Sequence, residues 1–267
     1  MGRRALRKLD PATDFAGHWR ELTELDPPPL DPQSLFPAPA PLELEMGSGK
    51  GLFLATASAE RPAHNFLGVE LARKYSQFAA ARLARADRAN ARMISGDGLR
   101  LFREFLPAGC AVAVHVYFPD PWWKKRHRKR RVLNEAFLYD VARVLVVGGK
   151  LHFWTDVEEY FQSTLELIAA VAPLLSGPHA VVEPPSLHDL DFRTHFERRT
   201  RKAGEAVYRA EYVRLEGTPV PPAPSSDDRD TEEANDVGTD VNDETATDPA
   251  SVSEVEGCDG DFANDSR

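Results

Sequence analysis

Apolar residues recur in two rhythms between residues 42 and 215. Short, nearly continuous apolar runs at Leu42–Met46, Asn65–Glu70, Ala91–Ser95, Ala111–Phe118 and Lys150–Thr155 predict strands. Longer stretches at Leu52–Ala59, Leu71–Arg88, Val132–Val147 and Val157–Leu175 predict helices, and Gly96-Asp97-Gly98 opens a shorter one ending at Leu106. In Val132–Val147 the apolar Phe137, Leu138, Val141 and Leu145 share one face, and Gly148-Gly149 are expected to end the helix. Two last strands, His179–Val182 and Ala206–Leu215, show no helical pattern between them, which predicts a terminal hairpin. Strands alternating with helices, the early strands apolar on both faces, predict an α/β domain with a parallel sheet covered on each side.

The flanks differ. Seven prolines between Pro27 and Pro41 rule out a long helix or central strand there. That segment reads as an extended arm or flexible lead, with a short helix allowed around Phe15–Leu25. Beyond Leu215 come four prolines and then a Ser-, Asp- and Glu-rich stretch, too polar to bury a core and so expected to be disordered. The chain therefore divides into a proline-rich arm (1–41), a folded domain (42–216) and an acidic tail (217–267).

Charge sharpens the division. Of 42 acidic and 33 basic residues, 15 and 2 fall in 217–267, so the tail carries −13 and the remainder +4. An acidic chain on average is thus a mildly basic body with an acidic appendage. Such a tail is expected to act as a solubilising segment; folding back over the basic face is the alternative. Two cysteines, Cys110 and Cys258, exclude a disulfide framework and a multi-cysteine zinc site. Neither an apolar run of transmembrane length nor a signal core is present, so a cytoplasmic protein with no membrane partner is expected.

Three acids fall at successive strand ends. Glu45 precedes the turn Gly47-Ser-Gly49-Lys-Gly51, Glu70 ends the second strand and Asp97 follows the third. In parallel sheets ligands sit beyond the strand C-termini, and glycines let backbone approach them. The spacing is neither a dinucleotide fingerprint nor a phosphate loop, and Glu45 would repel a phosphate. A cationic or zwitterionic ligand fits better, with Glu70 able to accept from both ribose hydroxyls and Asp97 from an adenine amino group.

The fourth strand runs into Tyr117-Phe-Pro-Asp120-Pro-Trp122-Trp123, followed by seven Lys or Arg between Lys124 and Arg131. Stacking rings beside a cationic run are suited to nucleic acid. A second basic cluster, Arg193, Arg198, Arg199, Arg201 and Lys202, follows later. No metal constellation and no nucleophile–His arrangement is suggested.

The block Phe118-Pro-Asp-Pro-Trp122 with Lys124, Arg126-His127 and Lys129-Arg-Arg131 resembles the hallmark of the bacterial tRNA (guanine-N7)-methyltransferase family. Glu45–Gly51, Gly68-Val-Glu70, Thr155-Asp156 and Thr194-His-Phe-Glu197 resemble further family segments in the same order, over about residues 42–214. The resemblance implies a Rossmann-like class I methyltransferase fold, a mostly parallel seven-stranded sheet with an antiparallel final strand. It implies S-adenosylmethionine as cofactor, bound by Glu45, Gly47, Gly49, Gly51, Glu70, Asp97 and Asp120, with Asp120 catalytic. It implies a tRNA partner touched by Lys124, Asp156, Thr194, His195, Phe196 and Glu197, with Lys125, Arg126, Arg128, Lys129, Arg130 and Arg131 as candidates for the RNA backbone. Two positions depart from the pattern: Val157 stands where many members carry Trp, and Trp123 fills a variable position.

The implied reaction is methyl transfer to guanine N7, at position 46 of the variable loop. N7 already offers an in-plane lone pair, so Asp120 is expected to stabilise charge or hold the base, not to remove a proton. An RNA-binding protein that has lost catalysis and a nicotinamide-dependent oxidoreductase are the competing classes. The intact acids argue against the first and the missing fingerprint against the second. Monomer and homodimer both stay open.

Overall fold

The computed structural model describes residues 9–181 and 194–221. Eight strands form one sheet: β1 (Trp19–Glu21), β2 (Leu42–Met46), β3 (Asn65–Glu70), β4 (Ala91–Ser95), β5 (Ala111–Tyr117), β6 (Leu145–Thr155), β7 (Leu175–His179) and β8 (Tyr208–Arg214). The helices are α1 (Leu52–Glu60), α2 (Arg73–Arg85), α3 (Gly98–Arg100, continued by a wider turn to Phe105), α4 (Glu135–Val144), α5 (Glu158–Val171) and α6 (His195–Lys202).

The spatial order is β1-β4-β3-β2-β5-β6-β8-β7. All pairings from β1 to β6 are parallel, while β8 runs antiparallel to both β6 and β7. From β2 the chain steps outward to β3 and β4, then returns to the other side of β2 as β5. That reversal opens a crevice beyond the C-terminal ends of β2 and β5, where open α/β sheets hold ligands.

Both faces are covered. Phe53, Leu54, Ala79 and Leu83 of α1 and α2 pack on Phe66, Met93 and Trp154. On the other face Phe102, Phe137, Val141 and Ile168 pack on Leu44, Val114, Val116, Leu151 and Phe153. β2 alternates Leu and Glu, yet all five residues are buried, so the face carrying Glu43 and Glu45 is enclosed as well.

Several expectations change. The N-terminal segment adds an eighth strand, flanked by one-turn 3₁₀ helices at Ala16–His18 and Leu22–Glu24 within the Phe15–Leu25 stretch where a short helix was allowed. Trp19 ties it down, its indole N–H donating to Ser76 Oγ at 3.0 Å, and Leu22, Leu30 and Phe36 are buried in the core. The helix expected to reach Val147 stops at Val144, and Gly148-Gly149 fall inside β6, whose pairing with β5 is irregular between Ala111 and Ala113. Finally, α6 stands between β7 and β8, though the two strands do pair. The strand expected at His179–Val182 instead spans Leu175–His179, where the preceding helix was expected to reach, because α5 ends at Val171. Val182, the arm's first eight residues and the acidic tail from residue 222 lie outside the described residues.

Candidate active site

The glycine turn after β2 is dictated by close approach. A Cβ on Gly51, whose φ is +66°, would sit 2.6 Å from Ala79 Cβ, so any side chain would drive α1 away from α2. Gly68, in the middle of β3, is equally constrained: its Cβ would meet Ser48 Oγ at 2.2 Å and Leu54 Cδ1 at 2.5 Å. At Gly47 and Gly49, both at positive φ, the corresponding space is open. The turn is thus packed on its protein side and accessible on its outer side.

Behind it, Glu70 organises the loop backbone. Its Oε2 accepts from the Gly49 amide at 2.9 Å and its Oε1 from Ala72 N–H at 3.0 Å. A carboxylate has about four acceptor sites, so both oxygens keep capacity for hydroxyl donors. Asp97 is exposed beyond β4; its Oδ1 caps α3 by accepting from Leu99 N–H at 2.9 Å.

Glu45 is the unusual group. It is 3% exposed, and its Oε2 has no hydrogen-bond partner within the protein. Burial pushes its pKa up to about 8; the nearby Ser48 hydroxyl opposes the rise and the Glu70 charge adds to it. A buried acceptor left without a partner at a ligand crevice is a site for a positive donor.

Glu45, Gly47, Gly49, Asp120, Thr194 and Phe196 all line one cleft of about 540 Å³, together with Phe53, Tyr75, Tyr117 and Arg199. Phe118 and Phe196 meet at a tilt of 34°, 4.9 Å between ring centres, and the Arg199 guanidinium lies 4.3 Å over Phe196. Thr194 caps α6 by accepting from Glu197 N–H at 3.0 Å, which fixes the turn that presents Phe196.

Asp120 is exposed at the cleft mouth on a strained loop. Phe118 and Trp122 have φ of +50° and +44°, uncommon for bulky side chains. Flanking contacts hold them there: Phe118 N–H donates to Trp154 O at 2.8 Å, and Arg131 Nε donates to Pro121 O at 2.8 Å.

Several predicted contacts lie apart from the cleft. Gly51, Glu70 and Asp97 do not line it; Gly51 is buried, Glu70 is partly exposed and Asp97 is exposed. Lys124 shares a neighbouring groove with Asp120. Asp156 follows β6, and burial raises its pKa. Arg131, read as an RNA-backbone candidate, is only 8% exposed; it holds Pro121, Ser163 and Glu159 and lies 4.4 Å over Tyr160. Glu197, read as a substrate contact, is wholly buried, its Oε1 accepting from Arg201 and Arg209 at 3.2 Å each. Arg126, Arg128, Lys129 and Arg130 remain exposed. The side chains of Lys125 and His195, and Arg193 altogether, lie outside the described residues.

Sequence reasoning missed a buried chain beneath the cleft. Tyr117 Oη pairs with His115 Nδ1 at 2.8 Å, and His115 Nε2 with Glu43 Oε2 at 2.7 Å. Glu43 Oε1 in turn meets Arg61 Nε at 3.0 Å and His64 Nδ1 at 2.8 Å. Burial alone would raise the Glu43 pKa, but His115 and Arg61 outweigh it and hold it at about 2. The signal was the Leu-Glu-Leu-Glu alternation of β2, which sets Glu43 on the same face as Glu45. Among the described residues no three His, Cys, Asp or Glu side chains group as a metal site, and no helix is long and apolar enough to cross a membrane.

A family model described as a putative methyltransferase matches residues 39–210. A tRNA (guanine-N(7)-)-methyltransferase of Rhodopirellula baltica is 54% identical over 217 residues, covering 79% of this chain and 80% of the relative. The enzyme of the same name from Alcanivorax borkumensis is 36% identical over 187 residues, 69% of this chain and 77% of the relative. Among solved structures, the antibiotic-resistance methyltransferase Kmr aligns with a TM-score of 0.45 at 18% identity, over 67% of this chain and 88% of that one.

Proposed function

The chain belongs to the tRNA (guanine-N7-)-methyltransferase family, and from that premise we propose that it transfers a methyl group from S-adenosylmethionine to N7 of a guanine in tRNA, at position 46 of the variable loop. The observation that carries this reading is Glu45: a buried carboxyl whose Oε2 has no partner, opening into the same cleft as Asp120, at the sheet's switch point.

The residues present fit this donor. Glu45 accepts from the α-ammonium group, which supplies the missing partner of Oε2. The open space outside Gly47 and Gly49 lets the loop backbone lie against the methionine portion. Glu70 accepts from the ribose hydroxyls, and Asp97 from the adenine amino group. The bound donor supplies a sulfonium-activated methyl group, electrophilic without further activation.

The protein's own part is placement. Guanine N7 carries a lone pair in the ring plane, so no general base is required. Phe118, Phe196 and Arg199 together form an aromatic and cationic wall for the base, and the two prolines fix Asp120 at the mouth. Holding nucleophile, methyl carbon and leaving sulfur in line supplies much of the acceleration. The ring becomes cationic as the N–C bond forms, and the fixed Asp120 carboxylate stabilises that charge as it develops. Because N7 is shielded in the narrow major groove of A-form RNA, a target in an open loop suits such a cleft. Arg126, Arg128, Lys129 and Arg130 contact phosphates alongside, while Arg131 and Glu197 serve by holding the loop and α6.

The test is methylation of unmodified tRNA with labelled S-adenosylmethionine, followed by borohydride and aniline scission at N7-methylguanine. Cleavage at the variable-loop guanine is expected. Cleavage at another guanine overturns the position and keeps the reaction; no label in N7-methylguanine overturns the reaction.

A further inference from the structure

Beside the cleft, on the outer side of the Asp120 loop, lies a separate groove of about 420 Å³ lined by Asp120, Pro121, Trp122, Trp123, Lys124 and His127. Its volume falls within the roughly 300–1,000 Å³ of small-molecule sites. The two tryptophans have different surroundings. Trp122 is partly buried and in use: the Arg130 guanidinium lies 5.1 Å over its ring and His127 meets its edge at 5.9 Å. Trp123 is 62% exposed and makes no ring or cation contact among the described residues.

We propose that this groove is a second nucleotide subsite, in which Trp123 stacks on an unpaired base adjoining the target guanine. The inference rests on the RNA substrate of the proposed function and assigns that substrate a further contact.

Three observations select a nucleotide as occupant. The groove shares Asp120 with the cleft, so the two recesses adjoin and a nucleotide next to one held in the cleft is within reach of it. Lys124 lines it, and the exposed Arg126 and Lys129 follow in the chain, the charge a phosphodiester requires. The loop that carries it is already held rigid, by Arg131 on Pro121 O and by Arg130 on Trp122, so little ordering is needed when a base stacks. Every base presents a π-face, so the contact adds affinity without reading sequence.

The test uses the full chain with unmodified tRNA, comparing wild type, Trp123→Phe, Trp123→Ala and Trp123→Lys. By base-stacking precedent, Trp123→Ala should raise KM for tRNA about 5- to 100-fold. The donor Kd and kcat should stay within about twofold. Trp123→Phe should recover most of the loss and Trp123→Lys should not. An abasic nucleotide next to the target guanine should weaken wild type and leave Trp123→Ala unaffected. An unchanged KM in Trp123→Ala, or full recovery by Trp123→Lys, overturns the stacking role. So does a wild-type dimer that Trp123→Ala converts to monomer, which would make the ring a contact between copies. Wild-type N7-methylguanosine yield is measured in parallel: its absence refutes the parent reading, whereas normal yield with an indifferent Trp123 refutes only the subsite.

Discussion

Replacing Glu45 by Gln should make the empty protein more stable and the enzyme inactive. The carboxyl has a pKa near 8 in the folded protein against 4.5 as its ordinary value, chiefly because burial penalises its charge. At 1.36 kcal/mol per pKa unit, that difference costs the folded state roughly 5 kcal/mol as a ceiling once the group is ionised. Relaxation around the charge reduces the figure, and we expect about 2–3 kcal/mol. The sign follows from linkage. Between pH 4.5 and 8 the folded state binds more protons than the unfolded one, so stability falls as pH rises through that window and levels off above it. Gln keeps the shape and cannot ionise. The Tm of Glu45→Gln minus that of wild type should therefore be near zero at pH 5 and grow to about 4–12 °C at pH 8.5, using roughly 2–4 °C per kcal/mol for a domain of this size. Differential scanning fluorimetry across pH checks it, with S-adenosylmethionine binding measured on the same samples. A Tm difference that stays flat from pH 5 to 8.5 would mean that Glu45 does not ionise against its burial, and donor affinity within twofold of wild type in the Gln variant would remove it from the donor site.

Three further outcomes follow from the same geometry. Arg131→Ala frees the Pro121 carbonyl and should lower kcat about 10- to 100-fold with donor affinity unchanged, because the Asp120 loop loses its anchor; steady-state kinetics beside donor titration reads the split. Glu197→Gln leaves Arg201 and Arg209 without their shared buried carboxylate and should destabilise the fold by about 3 kcal/mol, seen as a fall in urea midpoint. Replacing both Arg126 and Lys129 with Ala should reduce the slope of log Kd against log salt for tRNA by about 1.5–2, with the kcat of bound tRNA retained.

The parallel sheet was legible because its strands are apolar runs flanked by glycine or proline, and β2 to β5 begin and end within a residue of expectation. The shared edge was legible for a related reason: Glu45, Glu70 and Asp97 close successive parallel strands, and of the three Glu45 lines the cleft. What escaped depends on contacts distant in sequence. α6 is so rich in Arg that its apolar content gave no periodic signal, yet Glu197 buries itself against Arg209 of the neighbouring strand. β1 is three residues long and owes its place to Trp19 reaching α2. Gly148-Gly149 read as a helix stop because glycines mark both helix ends and strand irregularities, and only pairing with β5 distinguishes them. Arg131 looked like one more cation in a run of seven; its burial against Tyr160 and Glu159 comes from α5, and nothing local foretells it.

Whether methyl transfer occurs in the cleft between Glu45 and Asp120 is decided by single-turnover transfer with donor and tRNA both saturating, in wild type and Asp120→Ala. The expected rate is about 10²- to 10³-fold lower in the variant, with Kd for both ligands within about twofold of wild type. Wild-type rates in Asp120→Ala would contradict transfer in this cleft.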